Sequence, residues 1–364
     1  MKKSTTTKIN ILFPYMGNSI GGSHISSLIL VKNLPKQYHP IVLLHKRGPL
    51  ANYLVENNIP YIIEEKLVTD SNGKWQYMCA FTQFTNLLKR LKIDIVHTNE
   101  INMHTIWLLP AFFSRTKHLW HQRTPGPNKS VYLSFLSSKI ITISDYTKRT
   151  LPIFFGNKIE VVFNPFIFLK NDKKLSSEEK YTNLNLAWIG NFHRRKRLDV
   201  FINVIGELEK IHNIPPINAH VYGRPLEPIS GEIEELIAKK KLKSKILFHG
   251  FVSDITSEIN KIDFLIAPAE KEAFGRTIVE AASMGIPIIA NKEGGHKEII
   301  IDKESGVLIQ HNEIDNYVTS IVSLIENSKF KNELIKKAYD FCAQKFSINT
   351  HILHITKIYK SLIN

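Results

Sequence analysis

Cysteine is almost absent from this chain: Cys79 and Cys342 are the only two in 364 residues, and they lie far apart. So low a count excludes a disulfide scaffold and a cysteine-built zinc site, and it fits a reducing cytoplasm. Long apolar runs are absent as well. No stretch reaches the roughly 18 apolar residues a transmembrane helix needs. The short run Ile9–Phe13 behind Met1-Lys2-Lys3 stops at Pro14 without a small-residue cleavage site, so it reads as a first strand and not as a signal peptide. Short-period repeats and low-complexity tracts are missing too.

What is present is a globular composition, with 43% hydrophobic residues, in a chain too long for one ordinary core. Two domains are expected. The first half alternates β-branched runs with amphipathic segments. Expected strands are Lys8–Pro14, Pro40–Leu44, Pro60–Ile63, Asp94–His97, His118–His121, Ile140–Ile143 and Glu160–Phe163, with helices such as Phe81–Leu91 and Asp145–Ile153 between them. The second half repeats the scheme with strands Leu184–Ile189, Ala219–Tyr222, Ile246–Phe248, Phe264–Ala267, Ile286–Ala290 and Val307–Ile309. The polar segment Asn171–Lys180 is the expected linker. This alternation implies two doubly wound, Rossmann-like α/β domains, which in one chain create a cleft, with ligands beyond the carboxyl ends of the strands.

The net charge of +15 calls for an anionic partner: a nucleotide diphosphate, an anionic membrane surface or nucleic acid. The basic and aromatic residues form no recognisable nucleic-acid-binding module, so nucleic acid is not expected.

One segment narrows the chemistry. After the strand Phe264–Ala267, Glu272 lies in a loop, Gly275 opens a helix expected to run to Met284, and Glu280 lies inside that helix. Glycine lets backbone approach a ligand, and the free N–H groups of a first helical turn suit a diphosphate. One carboxylate ahead of such a turn can hold sugar hydroxyls, and one further along can hold a ribose.

Glu-Ala-Phe-Gly at 272–275, Glu-Ala-Ala-Ser-Met-Gly-Ile-Pro from Glu280 and the Glu293-Gly294-Gly295-His296 loop closely resemble the signature of glycosyltransferase family 4, in which two glutamates stand eight apart. Further landmarks recur in order: Gly21-Gly22-Ser23, His97, His121, Ser144, Asn164-Pro165, Gly190-Asn191 through Lys196, and Phe248 through Val252. The resemblance implies a GT-B fold: two doubly wound domains facing across a cleft, with an acceptor-binding domain at 1–170, a donor-binding domain at 171–345 and a tail at 346–364 crossing back to the first. It also implies sugar transfer with retention and no required metal or other cofactor, in accord with the lack of an Asp-x-Asp pair beside an expected strand end.

By the same resemblance His121, Lys196 and Glu272 are the catalytic candidates. Donor contacts fall to Gly21, Gly22, Asn191, Arg195, Phe251, Phe274, Gly275, Arg276, Thr277 and Glu280. The implied donor is a UDP-, GDP- or ADP-sugar. The implied acceptor is a saccharide or a lipid-linked sugar of polysaccharide, lipopolysaccharide or glycolipid assembly. The chain departs from the family at Asn191, where an arginine is common, and Arg194, Arg195 or Arg276 is expected to supply the missing cation.

Two alternatives share parts of this pattern. A nucleotide-sugar epimerase has the same fold. A nicotinamide oxidoreductase is invited by the glycines at 17–22, but their spacing is wrong and the second strand ends in His45-Lys46-Arg47 instead of an acid. A two-lobed binding protein lacks a reason for both Lys196 and Glu272. Apolar residues Phe81, Phe84, Leu87, Leu88, Trp107, Phe112 and Phe113 near Lys89, Arg90, Lys92, Arg115 and Lys117 suggest a peripheral docking face for the inner side of a membrane.

Overall fold

A computed structural model describes residues 8–65, 74–126, 129–168, 181–252 and 255–363. The expected linker Asn171–Lys180 lies outside them. The chain forms two compact units, Met1–Pro165 with Ile348–Asn364, and Phe166–Ser347.

The first unit is built on seven parallel strands: β1 (Ile9–Tyr15), β2 (Tyr38–Leu44), β3 (Tyr61–Ile63), β4 (Ile95–Thr98), β5 (Lys117–Gln122), β6 (Lys139–Thr142) and β7 (Ile159–Val161), in the order β3-β2-β1-β4-β5-β6-β7. The second has six: β8 (Leu184–Ile189), β9 (Ile217–Tyr222), β10 (Lys245–Gly250), β11 (Phe264–Ala267), β12 (Ile288–Asn291) and β13 (Val307–Ile309), in the order β10-β9-β8-β11-β12-β13. Among the described residues every strand pairing is parallel, for example Ile11 with Ile95 in the first sheet and Leu265 with Ile288 in the second. Parallel strands are covered on both faces, which is why they read as near-continuous apolar runs. The strand order reverses at β1/β4 and at β8/β11, and the loops leaving these four strands are where ligands of such sheets bind.

In the second unit, Leu198, Phe201, Ile205 and Leu208 of the helix Leu198–Leu208 pack on Leu186, Trp188 and Val221 of the sheet. The unit begins at Phe166 because Phe166 N donates to Phe346 O at 2.9 Å and its ring stacks on Phe274 at 6.0 Å. The final helix Ile348–Ile363 belongs instead to the first unit, where Ile355, Ile358, Tyr359 and Leu362 join a core with Leu28, Leu30, Val42 and Val162.

Two expectations fail here. The helix starting at Asp145 ends at Arg149, not Ile153, because Pro152 follows, disfavouring helix at the residue before it and offering no N–H. The chain resumes as a 3-10 segment at Ile153–Lys158. The expected membrane face is largely core: Phe84, Leu87, Leu88 and Trp107 are buried together with Leu12, Leu43 and Met103. Of that set only Phe112 and Phe113 are strongly exposed, at 49% and 63%.

Candidate active site

The loop after β8 carries the cations. Phe192 is buried edge-on against Trp188 at 5.7 Å, and the Trp188 indole N–H donates to Lys196 O at 3.0 Å. These contacts fix the 3-10 turn Arg194–Lys196, and Arg197, in the left-handed region at φ 53°, turns the chain into the next helix. The loop after β11 carries the acids. Glu270 N donates to Arg195 O at 2.7 Å, tying the two loops together.

Glu272 is held where they meet. Lys196 Nζ and Arg195 Nη1 both donate to its Oε2, each at 2.8 Å. The side chain of Glu272 is only 14% exposed. Burial pushes its carboxyl up, but the charges of Lys196 and Arg195, the Lys196 hydrogen bond and the charge of His296 outweigh that and hold it at about 2. Two cations on one carboxylate leave the cluster with an excess positive charge.

The glycines of the signature have mechanical reasons. Gly294 has φ +56°, and a Cβ there would come within 2.5 Å of Glu272 O. Gly295 N then donates to that same oxygen at 2.8 Å. Gly275, at φ +114°, caps the helix Arg276–Ser283, and a Cβ there would press on His296 at 3.0 Å. A shallow recess opens beside this helix start, lined by Lys196, Glu272, Gly275, Thr277, His296 and Trp188 among others.

Arg276 and Glu280 face each other on the helix at 3.0 Å, and the Arg276 guanidinium lies 4.6 Å over the Phe166 ring. The Phe274 side chain is not placed for a ligand. It is buried between Phe166 and Phe346, its ring 5.3 Å from the latter, so the expectation of a donor contact from this side chain fails because the ring is core. Arg194 turns away to Glu232, at 2.5 Å. Asn191 leads elsewhere: its Oδ1 accepts from Arg224 N at 3.1 Å, and the Arg224 guanidinium sits 4.7 Å over the half-exposed Phe251 ring.

Sequence reasoning missed two of these residues. Arg224 follows β9 with no motif around it. His296 is buried, with Nδ1 3.0 Å from Asn291 O, and its signal was its place directly behind the glycine pair.

Gly21, Gly22 and His121 lie in the first unit. Gly21 caps the helix Gly22–Asn33, and its N–H donates to His24 Nδ1 at 3.1 Å. His24 Nε2 in turn donates to Glu100 at 2.8 Å, and the other Glu100 oxygen accepts from Met16 N at 2.8 Å. The loops after β1 and β4 are thus laced together. His121 is fully buried on β5, touching His97 and Arg123.

Residues 170–341, inside the second unit, match the family described as Glycosyl transferases group 1. An uncharacterized glycosyltransferase of Methanocaldococcus jannaschii is 28% identical over 232 residues, 64% of this chain and 62% of that one. The lipopolysaccharide core biosynthesis mannosyltransferase LpsB of Rhizobium meliloti is 25% identical over 179 residues, 48% of this chain and 50% of that one. These alignments therefore span between half and five eighths of the relatives' lengths. Among solved structures, Anabaena HepE in complex with UDP and glucose superposes with a TM-score of 0.82 at 19% identity, covering 97% of this chain and all of that one. The architecture is GT-B, and the matched family and both named relatives are glycosyltransferases.

Proposed function

We propose that this protein is a retaining glycosyltransferase of family 4. It would move a sugar from a UDP-, GDP- or ADP-sugar to a saccharide or lipid-linked acceptor, in the assembly of cell-surface polysaccharide or glycolipid. The observation that carries this reading is the convergence of Arg195 and Lys196 on Glu272 beside the start of the helix Arg276–Ser283. The second unit would hold the donor and the first the acceptor. In the reaction, the bond between the anomeric carbon and the diphosphate oxygen breaks, the acceptor hydroxyl bonds that carbon from the same face, and its proton passes to the departing phosphate. No protein nucleophile is assigned.

Lys196, Arg195 and the first-turn N–H groups after Gly275 would stabilise the charge gathered on the leaving diphosphate. This is the role a metal plays in other transferases, and none is assigned here. Glu272 would accept hydrogen bonds from the transferred sugar and Glu280 from the ribose. Arg224 is the cation proposed to stand in near Asn191, with Phe251 as its stacking partner. A panel of UDP-, GDP- and ADP-sugars read by thermal shift tests donor binding, since saturation at 100 times Kd stabilises by about 2.7 kcal/mol. An α-donor should then give an α-linked product by NMR coupling constant, undiminished by EDTA, and a β-linked product would overturn retention.

An anionic membrane surface remains part of the proposal, at a different face from the one expected. Leu133, Phe135, Ile153 and Phe154 are exposed at 44%, 55%, 96% and 64%. They sit on the 3-10 segments Lys129–Leu136 and Ile153–Lys158, which share the buried cluster of Val131 and Phe155 and are clipped together by Lys158 Nζ donating to Phe135 O at 2.6 Å. Along the chain, Lys148 and Arg149 precede Ile153 and Lys158 follows Phe154.

A further inference from the structure

Within the first unit, four neutral rings and hydroxyls form a chain whose proton positions can be read from which atoms donate. Arg123 Nη2 lies 3.2 Å from His121 Nδ1, and a guanidinium only donates, so His121 Nδ1 carries no proton. His97 Nε2 lies 3.3 Å from that same nitrogen and must therefore carry the proton it shares. Burial above all, then Arg123, holds both histidines neutral, well below the usual range. A neutral His97 with its proton on Nε2 has a bare Nδ1, and the Tyr359 hydroxyl donates to it at 2.7 Å. His121 in turn carries its one proton on Nε2, and this buried atom meets no hydrogen-bond partner among the described residues.

His351 supplies the complement. Its Nδ1 donates to the Phe163 carbonyl at 2.6 Å, which leaves Nε2 as a bare lone pair, also buried and without a partner among the described residues. Burial lowers this histidine to about 3, so it too is neutral. The His121 and His351 rings stack with centroids 6.3 Å apart and planes within 17°. Side by side stand one N–H donor and one nitrogen acceptor, both uncharged.

We infer that Tyr359, His97 and Arg123 are positioning residues that lock His121 as an Nε2–H donor, and that His121 and His351 together read a neutral hydroxyl of the substrate. A hydroxyl both accepts and donates, so one, or two neighbouring ones, satisfies both nitrogens. A phosphate oxygen accepts only and leaves His351 unanswered. His121 in this state is a hydrogen-bond donor to substrate and not a base. The inference rests on the glycosyltransferase reading proposed above, with His121 as the catalytic candidate of the first unit, and it adds His351 and Tyr359, both from the final helix, to that site.

The test is made on the full chain labelled with ¹⁵N-histidine, without ligand, at pH 7. Long-range ¹H–¹⁵N spectra, assigned with single-histidine variants, should show protons on Nε2 of His97 and His121 and on Nδ1 of His351. Arg123→Met removes the one group that can only donate to His121 Nδ1, so it should convert His121 and His97 to mixtures of tautomers while His351 keeps its pattern. A wild-type His121 with its proton on Nδ1, or a His121 pattern unmoved by Arg123→Met, would overturn the inference. Turnover then separates the roles. Glutamine places an amide N–H near Nε2 of the histidine it replaces, and asparagine places one near Nδ1. On whichever nucleotide sugar of the panel the wild type turns over, His121→Gln should retain at least about tenfold more activity than His121→Asn, the scale of one hydrogen bond. The reverse order would also overturn it. A wild type that turns over no nucleotide sugar would refute the proposed function, while the tautomer pattern would still be read independently.

Discussion

At neutral pH the Glu272 carboxylate is shared by Lys196 and Arg195, and this sharing sets its acid behaviour. A carboxyl held at about 2 against an ordinary 4.5 contributes stability that is fully present above pH 4.5 and is lost as pH falls through about 2. At about 1.4 kcal/mol for each tenfold change in proton affinity, the contribution is on the order of 3 kcal/mol. Glu272→Gln should therefore flatten the stability profile between pH 4.5 and 2, measured by urea unfolding across that window. A profile identical to wild type would show that the pairing does not persist in solution. Lys196→Ala should lower kcat by roughly 10²–10³, the cost of a lost oxyanion donor, if its contact strengthens as the diphosphate leaves. Arg224→Ala should weaken nucleotide binding at least as much as Arg194→Ala, whose side chain is occupied by Glu232. Calorimetric titration with the nucleotide diphosphate decides between them. Lys196 and Glu272 were each legible from their motifs. Their bond across 76 positions was not, nor was Arg224, because no local pattern encodes which cation a loop from another strand will meet.

Secondary-structure elements were the most legible level, for a physical reason. Parallel strands buried on both faces need unbroken β-branched runs, so β8, β11 and β13 fall on the expected residues and the other strands differ only at their ends. Where tertiary packing decides, the pattern misled. The helix Lys74–Arg90 has an apolar stripe beside cations, which fits a membrane face and a core face equally, and Phe84, Leu87 and Leu88 turn out to be core. The start of the helix Arg276–Ser283 shows the opposite case, since glycine at 275 was readable as an opening and the structure supplies the need for it. Gly275→Ala meets both a backbone at φ +114° and His296 at 3.0 Å. It should cost about 1–3 kcal/mol of stability and shift the first-turn N–H groups, so donor affinity should fall with it. A variant with wild-type Tm and wild-type donor binding would mean that the left-handed cap is dispensable.

At the scale of the whole molecule, the first unit is assembled from two distant stretches of chain, with the second unit inserted between them. Truncation after Lys345 would strip Ile355, Ile358, Tyr359 and Leu362 from a core that the remaining residues cannot close. Each such loss costs about 2–5 kcal/mol, more in sum than a domain's margin, so the truncated chain should be recovered insoluble, and a soluble, equally active one would refute this account.

The +15 charge and the exposed apolar cluster bear on what the whole molecule meets. A well-placed cation contributes about 1 kcal/mol toward an anionic bilayer, and burying an isoleucine or phenylalanine side chain adds about 1.5–3 kcal/mol. The intact protein should therefore co-sediment with vesicles containing anionic lipid better than with neutral ones. Replacing Ile153 with glutamate and Phe154 with serine should reduce that binding at least tenfold with Tm unchanged, because both side chains already face solvent. Phe84→Ala should do the reverse, lowering Tm while leaving the lipid preference of the folded fraction intact, because that ring is 2% exposed in the core. Equal binding to neutral and anionic vesicles, or full binding by the Ile153 and Phe154 double variant, would remove the membrane from the proposal and leave the charge to the diphosphate alone.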